Sequence, residues 1–395
     1  MSTRPARAPA AREGGIVGLV VNPVAGIGGP AGLKGSDGPA VQRLARERGA
    51  RARAEERAVR ALERLVAARP GAVVVTAGGR MGERAALTAG LGAEVVWDGP
   101  SATTGAEGAT TGADTTAAVR AVVAAGADLV LFAGGDGTAR DVCTGAGAGV
   151  AVLGIPAGVK MYSGCFAVSP AAAGALAVAW LGGEVATEER EVLDVDEDQV
   201  RTGRVEPRLH GLVRVPVLAG RTQARKAPTP TSERAAVGAA AHGAVQAMQP
   251  DVSYLLGPGG TTAQVARLLG VPFTPLGVDV VRDGSLVLAD ASEEQLRAVV
   301  AGGPARAVVT VIGGQGFLLG RGNQQLSAAV VAVMGPDPLL VVATEDKLTA
   351  LHGRPLLVDT GDADLDARLA GHVRVITGPS TTSLYPVHAP ENEGA

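Results

Sequence analysis

The chain has 395 residues, of which 46% are hydrophobic but only 2% are aromatic, and its formal net charge is −3. Recognition of single-stranded nucleic acid needs aromatic side chains for base stacking, and binding to a phosphate backbone needs a basic surface. We therefore expect no nucleic-acid partner. The length favours about two or three domains, whose cores must be built from Val, Leu, Ile and Ala.

The cysteine count and the absence of long apolar runs favour a cytoplasmic protein. Cys143 and Cys165 are too few for a disulfide framework, so we expect reduced thiols. Residues 1–15 contain arginines but no apolar run of signal-peptide length. They are interpreted as a disordered tail, with an organelle transit peptide as the alternative. No apolar run reaches the roughly 18 residues that span a bilayer, so no membrane partner is expected.

Short apolar runs alternate with helical stretches in the first half of the chain. The predicted strands cover residues 16–21, 72–76, 93–97, 128–132 and 150–155. Strands that are apolar throughout are typical of a parallel sheet that helices cover on both faces. The predicted helices cover residues 41–68, 81–89 and 114–125, with Asp114 as an N-cap. The alternation predicts a doubly wound parallel-sheet α/β domain over residues 16–168.

The second half of the chain differs from the first in amino-acid composition. After Ser169 the strand-like segments carry more charge, and a Pro-, Thr- and basic-rich excursion follows at residues 220–232. Strand-like and helical segments are predicted over residues 189–198, 204–217, 252–256, 262–269, 276–281, 285–289, 292–301, 307–312, 326–333, 339–343 and 373–377. These segments predict a second, strand-rich α+β domain over residues 169–380 and a C-terminal tail over residues 381–395.

A Gly-rich turn, GGDGT at residues 134–138, follows the fourth predicted strand and leads into a helix. At the carboxyl end of a parallel strand, glycines let backbone N–H groups approach an anionic ligand closely. Asp136 would then face phosphates, either as a Mg2+ ligand or as the acceptor of a hydroxyl proton. The alternative is a helix N-cap in a tight turn.

Two further Gly-rich turns follow strands in the same half. Residues 20–38 contain the first turn and residues 153–164 the second. The first turn holds Lys34 and Asn22 and the second holds Lys160, although the whole chain has only four lysines and three asparagines. Lysine suits phosphate oxygens, so these rare residues predict phosphate contacts. Solvated surface lysines are the alternative.

The second half contains two polar Gly-rich segments and two isolated candidates. Residues 254–262 form a strand-to-helix turn whose N–H and Thr hydroxyl groups suit a phosphate. Residues 312–325 combine Gly with Arg, Asn and Gln side chains that would recognise an acceptor. A capped turn and a structural loop are the respective alternatives. Lys347 and Asp359 follow later strands, with helix capping as the alternative.

Together these motifs resemble those of a known kinase family. Asn22-Pro23 with its Gly-rich turn, the GGDGT box and the turn IPAG at 155–158 resemble the NAD kinases and, more distantly, diacylglycerol kinases, sphingosine kinases and phosphofructokinases. The runs LKGSDG at 33–38, GVKMYSG at 158–164 and GGQGF at 313–317 are similar to the ATP-NAD kinase-like group of bacteria and archaea. Some members of that group are encoded with acetoin catabolism genes. The resemblance covers roughly residues 16–378.

The resemblance implies a first domain of NAD kinase type and phosphoryl transfer from ATP, with Mg2+, to the 2′-hydroxyl of NAD. Asp136 would be the catalytic carboxylate. An aspartate of ordinary pKa is about three pKa units too acidic to deprotonate an alcohol early at pH 7, so it would orient the hydroxyl and accept its proton late. Asp141, about one helical turn further on, is a candidate to share this role. At least a dimer is also implied.

The sequence departs from ordinary NAD kinases in one respect. Their Asn-Glu pair occurs here only at Asn392-Glu393, within the predicted C-terminal tail. This departure leaves two alternatives open, namely a kinase for another small hydroxylated metabolite and a nucleotide-binding regulator without catalysis.

The predicted site residues fall into two groups, with Asp136 as the catalytic residue and Mg2+ ligand. The predicted nucleotide- and phosphate-binding residues are Asn22, Gly26, Gly28, Gly29, Lys34, Asp37, Gly134, Gly135, Gly137, Thr138, Ala157, Gly158, Lys160, Tyr162, Ser163, Gly259, Gly260, Thr261 and Thr262. The predicted acceptor-binding residues are Gln315, Arg321, Asn323, Gln324, Lys347 and Asp359.

Overall fold

A computed structural model describes residues 15–33, 39–99, 110–147, 149–158, 161–194, 208–218 and 234–390. The strands, in chain order, are β1 (Ile16–Val21), β2 (Val73–Ala77), β3 (Ala93–Trp97), β4 (Leu129–Gly134), β5 (Ala151–Pro156), β6 (Ala186–Asp194), β7 (Arg208–Val217), β8 (Ser253–Leu256), β9 (Asp279–Arg282), β10 (Ser285–Leu288), β11 (Ala305–Thr310), β12 (Phe317–Leu319), β13 (Leu339–Val342), β14 (Leu356–Val358), β15 (Gly371–Gly378) and β16 (Thr381–His388). The helices are α1 (Pro39–Glu47), α2 (Ala54–Ala68), α3 (Glu83–Thr88), α4 (Gly112–Ala124), α5 (Asp136–Ala146), α6 (Pro170–Leu181), α7 (Arg234–Ala247), α8 (Gly260–Leu269), α9 (Glu293–Ala301), α10 (Ala328–Val331), α11 (Glu345–Thr349) and α12 (Ala363–Leu369).

The chain folds into two compact units. Among the described residues, the first unit contains 15–26 and those from 52 to 218, and the second contains 27–33, 39–51 and 234–390. The first sheet therefore belongs to one unit and the second sheet to the other.

The first unit is built on a seven-stranded sheet in the order β3-β2-β1-β4-β5-β7-β6. The strands from β3 to β5 are parallel to their neighbours, and β6 and β7 form an antiparallel pair at one edge. β4 is buried along its whole length, as its apolar sequence predicts. The predicted doubly wound α/β domain is confirmed. Its strand order reverses between β1 and β4, and ligands of such sheets bind beyond the carboxyl ends of the strands at this point.

The helices between residues 39 and 181 differ from the prediction at three places. The predicted helix over 41–68 is two helices, because the chain turns after α1, where the Ala50 N–H donates back to the Ala45 carbonyl. α4 begins after Thr111, so Asp114 is the third helical residue and shares a reciprocal capping box with that threonine. α6 was not predicted, since it is apolar all round and shows no helical periodicity.

The second unit is built on a nine-stranded sheet in the order β10-β9-β8-β11-β13-β15-β16-β14-β12. β8, β11, β13 and β15 are parallel to one another, whereas β9, β10 and β16 supply the antiparallel pairs. Buried Val, Leu and Ala side chains fill its two hydrophobic clusters. The predicted strand-rich α+β character is confirmed.

The compact units and strands differ from the predicted domain limits at two places. α6, β6 and β7 belong to the first unit rather than to a second domain that begins at residue 169, because β7 pairs in parallel with β5. The predicted tail begins too early, since β16 pairs with β15 along the whole strand. Residues 1–14 of the predicted N-terminal tail, the excursion at 220–232 and Asn392-Glu393 lie outside the described residues.

Within the described ranges, no helix combines the length and the apolar character needed to cross a membrane.

Candidate functional site

The turns that follow β1, β4 and β5 meet at the carboxyl edge of the first sheet. The Asn22 backbone N–H donates to the Ala133 carbonyl (3.0 Å), and its side-chain amide donates to Thr138 Oγ1 (2.9 Å). The Ala157 N–H donates to the Gly134 carbonyl (2.9 Å). The three predicted Gly-rich turns are thus brought together, as the parallel sheet requires.

Gly26 shows why this cluster needs glycine. Its φ is +78°, in the left-handed region, and a Cβ there would overlap the carbonyl oxygen of Ala157. Any larger residue would push the first turn away from the third. This glycine therefore allows one protein turn to approach another.

Asp136 is the first residue of α5, and the turn after β5 holds its carboxylate. The Tyr162 N–H donates to Oδ2 (2.7 Å), and Ser163 donates to Oδ1 through both its N–H (3.0 Å) and its hydroxyl (2.6 Å). The predicted phosphate-binding roles of Tyr162 and Ser163 need correction, because these donors bind the carboxylate. The N-cap alternative is also wrong, since Gly135 is the N-cap of α5.

The N-terminus of α5 lies directly beside this carboxylate. The N-cap residue, Gly135, has no side chain that could accept a hydrogen bond from the first N–H groups of the helix. The first N–H groups of an α-helix lack intrahelical partners, and the helix dipole favours negative charge there. This end of α5, in the turn that contains Gly137 and Thr138, can therefore bind an anion next to Asp136.

Burial raises the pKa of one tyrosine and two cysteines of the first unit. Burial, together with the charge of Asp136, raises the pKa of Tyr162 to about 12. Burial also raises the pKa of the Cys165 thiol well above its usual value, and it raises that of Cys143. These groups are neutral near pH 7, and the two thiols are poor nucleophiles.

Asp141 does not share the site of Asp136. Its carboxylate pairs with Arg140 (3.2 Å), and a Cβ on Gly112, the first residue of α4, would lie 2.6 Å from its Oδ2. Five residues along an α-helix correspond to a rotation of about 140°, so the two carboxylates leave α5 in different directions. The described contacts of Asp141 therefore do not support the predicted shared role.

Several predicted phosphate-binding residues lie elsewhere or are not described. Lys34, Asp37 and Lys160 lie outside the described residues. Gly28 and Gly29 belong to the second unit, where a Cβ on Gly29 would lie 3.0 Å from Cβ of Gln324.

The turn between β8 and α8 forms a separate polar cluster in the second unit. Gly259 is the N-cap of α8 with φ +144°, and the hydroxyl of buried Thr262 donates to its carbonyl (2.8 Å). The Lys347 ammonium donates to Oγ1 of buried Thr261 (3.3 Å). Two predictions are thus brought together, since the phosphate-binding turn and Lys347 meet beyond the parallel strands β8 and β13.

Arg321 and Asp359 form a buried ion pair rather than an open acceptor site. Their side chains are 3% and 0% exposed, and Nη1 lies 2.7 Å from Oδ2. The Arg321 guanidinium also stacks over the Phe317 ring at 4.1 Å from its centroid. A buried charge needs a buried partner, and this pair supplies it within the fold. The predicted acceptor-binding roles of both residues are therefore not supported.

The remaining polar residues of the 312–325 loop are used in the same way. The Asn323 side chain accepts from the Gly320 N–H (3.0 Å) and donates to the Leu318 carbonyl (2.8 Å). Gln324 donates to the Gly320 carbonyl (3.3 Å), and Gln315 is buried. The structural-loop alternative explains these contacts.

The described residues offer a poor fit to a resident magnesium ion. They contain no group of three or more His, Cys, Asp or Glu side chains with metal-binding geometry. Both oxygens of the Asp136 carboxylate accept hydrogen bonds from residues 162 and 163. The predicted role of Asp136 as a Mg2+ ligand therefore lacks support from its surroundings.

Comparison with known proteins gave two matches to family models. The ATP-NAD kinase N-terminal domain matches residues 17–185, and the ATP-NAD kinase C-terminal domain matches residues 249–387. The matched ranges cover β1 to α6 and most of the second sheet. No curated protein and no solved structure matches the chain.

Proposed function

Because the chain belongs to the ATP-NAD kinase family and is a kinase that acts on a hydroxyl group, we propose that it phosphorylates the 2′-hydroxyl of NAD with ATP, giving NADP. The observation that carries the proposal is the position of Asp136 at the N-terminus of α5, where three turns meet. A carboxylate and a helix N-terminus that can bind an anion lie side by side there. Phosphoryl transfer needs both, the carboxylate for the acceptor hydroxyl and the helix N-terminus for the phosphates of the donor.

The Asp136 carboxylate and the first-turn N–H groups of α5 would have different roles in phosphoryl transfer. The transition state is loose, so catalysis depends on positioning and on stabilisation of charge. In our proposal, the first-turn N–H groups of α5 bind phosphate oxygens, while Asp136 accepts a hydrogen bond from the acceptor hydroxyl. That hydroxyl keeps its proton until late in the transfer, so Asp136 orients it and then receives the proton.

The donor and its metal are part of the same proposal. ATP is the expected donor from the family. Since the surroundings of Asp136 do not fit a resident Mg2+, we expect the ion to be bound by the phosphates of the incoming ATP. No step assigned to Asp136 depends on it.

The polar cluster of the second unit is proposed to bind a phosphate group of a nucleotide. Lys347 supplies a positive charge next to Thr261, and the N-terminus of α8 supplies backbone N–H groups. A lysine ammonium is a compact charge that suits a phosphate oxygen.

The test is formation of NADP from NAD and Mg-ATP by the purified protein. Asp136→Asn is expected to lower kcat at least 100-fold. Asp141→Asn is the matched control, because it changes the same residue type on the same helix outside the site, and it should keep kcat within about threefold of the wild type. If both nucleotides bind but no NADP is formed, the assignment of NAD as acceptor is wrong.

A kinase for another small hydroxylated metabolite is the second candidate. Its motivation is the buried pairing of Arg321 and Asp359, which removes two predicted contacts to NAD. An acceptor screen with Mg-ATP and mass spectrometry would identify the alternative product. Tight nucleotide binding without product from any acceptor would instead indicate a non-catalytic regulator.

A further inference from the structure

The Ser163 hydroxyl lies fully buried between Asp136 and strand β6. Its oxygen is 2.6 Å from Asp136 Oδ1 and 3.3 Å from the Leu193 carbonyl, and it accepts a hydrogen bond from the Leu193 N–H at 3.0 Å. A hydroxyl has one proton to donate. The shorter distance and the negative charge both direct that proton to Asp136.

An irregularity in the pairing of β6 with β7 lies next to this contact. The pairing of β6 with β7 shifts register between Val192 and Leu193, at the residue that contacts Ser163. Bulges of this kind redirect backbone groups and are frequent next to active sites. The adjacent Gly164 N–H donates to the Glu191 carbonyl (3.0 Å), so the turn is attached to β6 at two points.

The contacts form a continuous chain from the sheet edge to the carboxylate. The Leu193 amide donates to the Ser163 hydroxyl, which in turn donates to Asp136. Hydrogen bonds in such a series polarise one another, and a bond to a charged acceptor is stronger than a neutral one. With the donors from Tyr162 and Ser163, this chain determines the orientation of the Asp136 carboxylate at the start of α5.

We propose that Ser163 is a positioning residue for Asp136 in phosphoryl transfer. This inference depends on the proposed role of Asp136 in orienting the acceptor hydroxyl. Ser163 has no exposed surface and acts through the carboxylate, so its removal changes the catalytic geometry rather than the affinity for nucleotides. A carboxylate that is misplaced by a fraction of an ångström aligns the hydroxyl poorly.

The test compares the wild type with Ser163→Ala, Asp136→Asn and the double variant. We expect Ser163→Ala to lower kcat about 10- to 100-fold, while KM for ATP and for NAD changes less than about threefold. The double variant should be no more than about threefold slower than Asp136→Asn alone, because Ser163 has no carboxylate left to position. Ser163→Thr retains the hydroxyl and should recover part of the lost kcat. Undiminished kcat in Ser163→Ala, or losses that multiply in the double variant, would overturn the proposal.

A second readout does not need activity. The shifts in urea midpoint of the two single variants should not add in the double variant, and additive shifts would overturn the direct coupling. If the wild type phosphorylates a different acceptor, the assignment of NAD fails, whereas the same kcat ratios on that acceptor still decide the role of Ser163. Absence of phosphoryl transfer to every acceptor tested would overturn both proposals.

Discussion

Replacement of Arg321 by methionine separates a structural role from an acceptor-binding role. The variant leaves Asp359 with its negative charge in a site where its side chain is 0% exposed. Removal of one partner of a buried ion pair costs about 3 to 5 kcal/mol, because the other charge is left uncompensated. This is a large share of the roughly 5 to 15 kcal/mol that stabilises a folded protein.

Two comparison variants test whether the buried charge of Asp359 causes the loss of unfolding free energy. Arg306 and Asp337 pair at the same 2.7 Å, but their side chains are 26% and 76% exposed, so Arg306→Met should cost only about 1 kcal/mol. The double variant Arg321→Met/Asp359→Asn removes both charges and should recover most of the stability lost in Arg321→Met.

Urea unfolding followed by circular dichroism and by tryptophan fluorescence measures the effect. Trp97 and Trp180 both lie in the first unit, so fluorescence reports on that unit. We expect the dichroism transition of the second unit to move to lower urea in Arg321→Met, while the fluorescence transition stays in place. If Arg321→Met unfolds like Arg306→Met and instead raises KM for the acceptor about tenfold, the structural reasoning is refuted and Arg321 binds the acceptor.

Two further predictions concern the predicted phosphate contacts. Lys347→Met should raise KM for the nucleotide about tenfold in steady-state assays, with little change in kcat. Lys347→Arg keeps the charge, so its KM should remain near that of the wild type. An unchanged KM in Lys347→Met would contradict the phosphate role. Unfolded tyrosine ionises near pH 10, whereas burial holds the pKa of Tyr162 at about 12. The unfolding free energy of the first unit should therefore fall by roughly 2 kcal/mol as the pH rises from 10 to 12. Tryptophan fluorescence in urea measures this fall, and it should be shallower in Tyr162→Phe, which keeps the backbone bond to Asp136.

The inner strands β1, β4 and β5 of the first unit were predictable because burial on both faces leaves a continuous apolar run. β1 and β3 have the predicted limits, and β4 and β5 differ by one or two residues. α6 is apolar on every side and carries no amphipathic pattern, so periodicity could not identify it. The placement of α1 in the second unit depends on tertiary contacts that no local pattern encodes.

The candidate site was predictable to the level of the turns but not of the side chains within them. Parallel strands end at one edge, so the meeting of Asn22, Thr138 and Ala157 follows from topology. The contact of Ser163 with Leu193 involves backbone groups, which any residue other than proline at position 193 would supply. For that reason the sequence predicted Ser163 as a phosphate ligand and missed its partner.

The rare residues of the chain show how far a compositional argument extends. Asn323 is one of three asparagines in the chain and stands in a Gly-rich loop, as Asn22 does, and the side-chain amides of both are hydrogen-bonded within the fold. Lys347, one of four lysines, is partly buried in α11, and its ammonium donates to the neutral hydroxyl of Thr261. The rarity of a residue type therefore marks positions where a polar group is needed, and a side-chain amide that is hydrogen-bonded within the fold meets that need without a ligand.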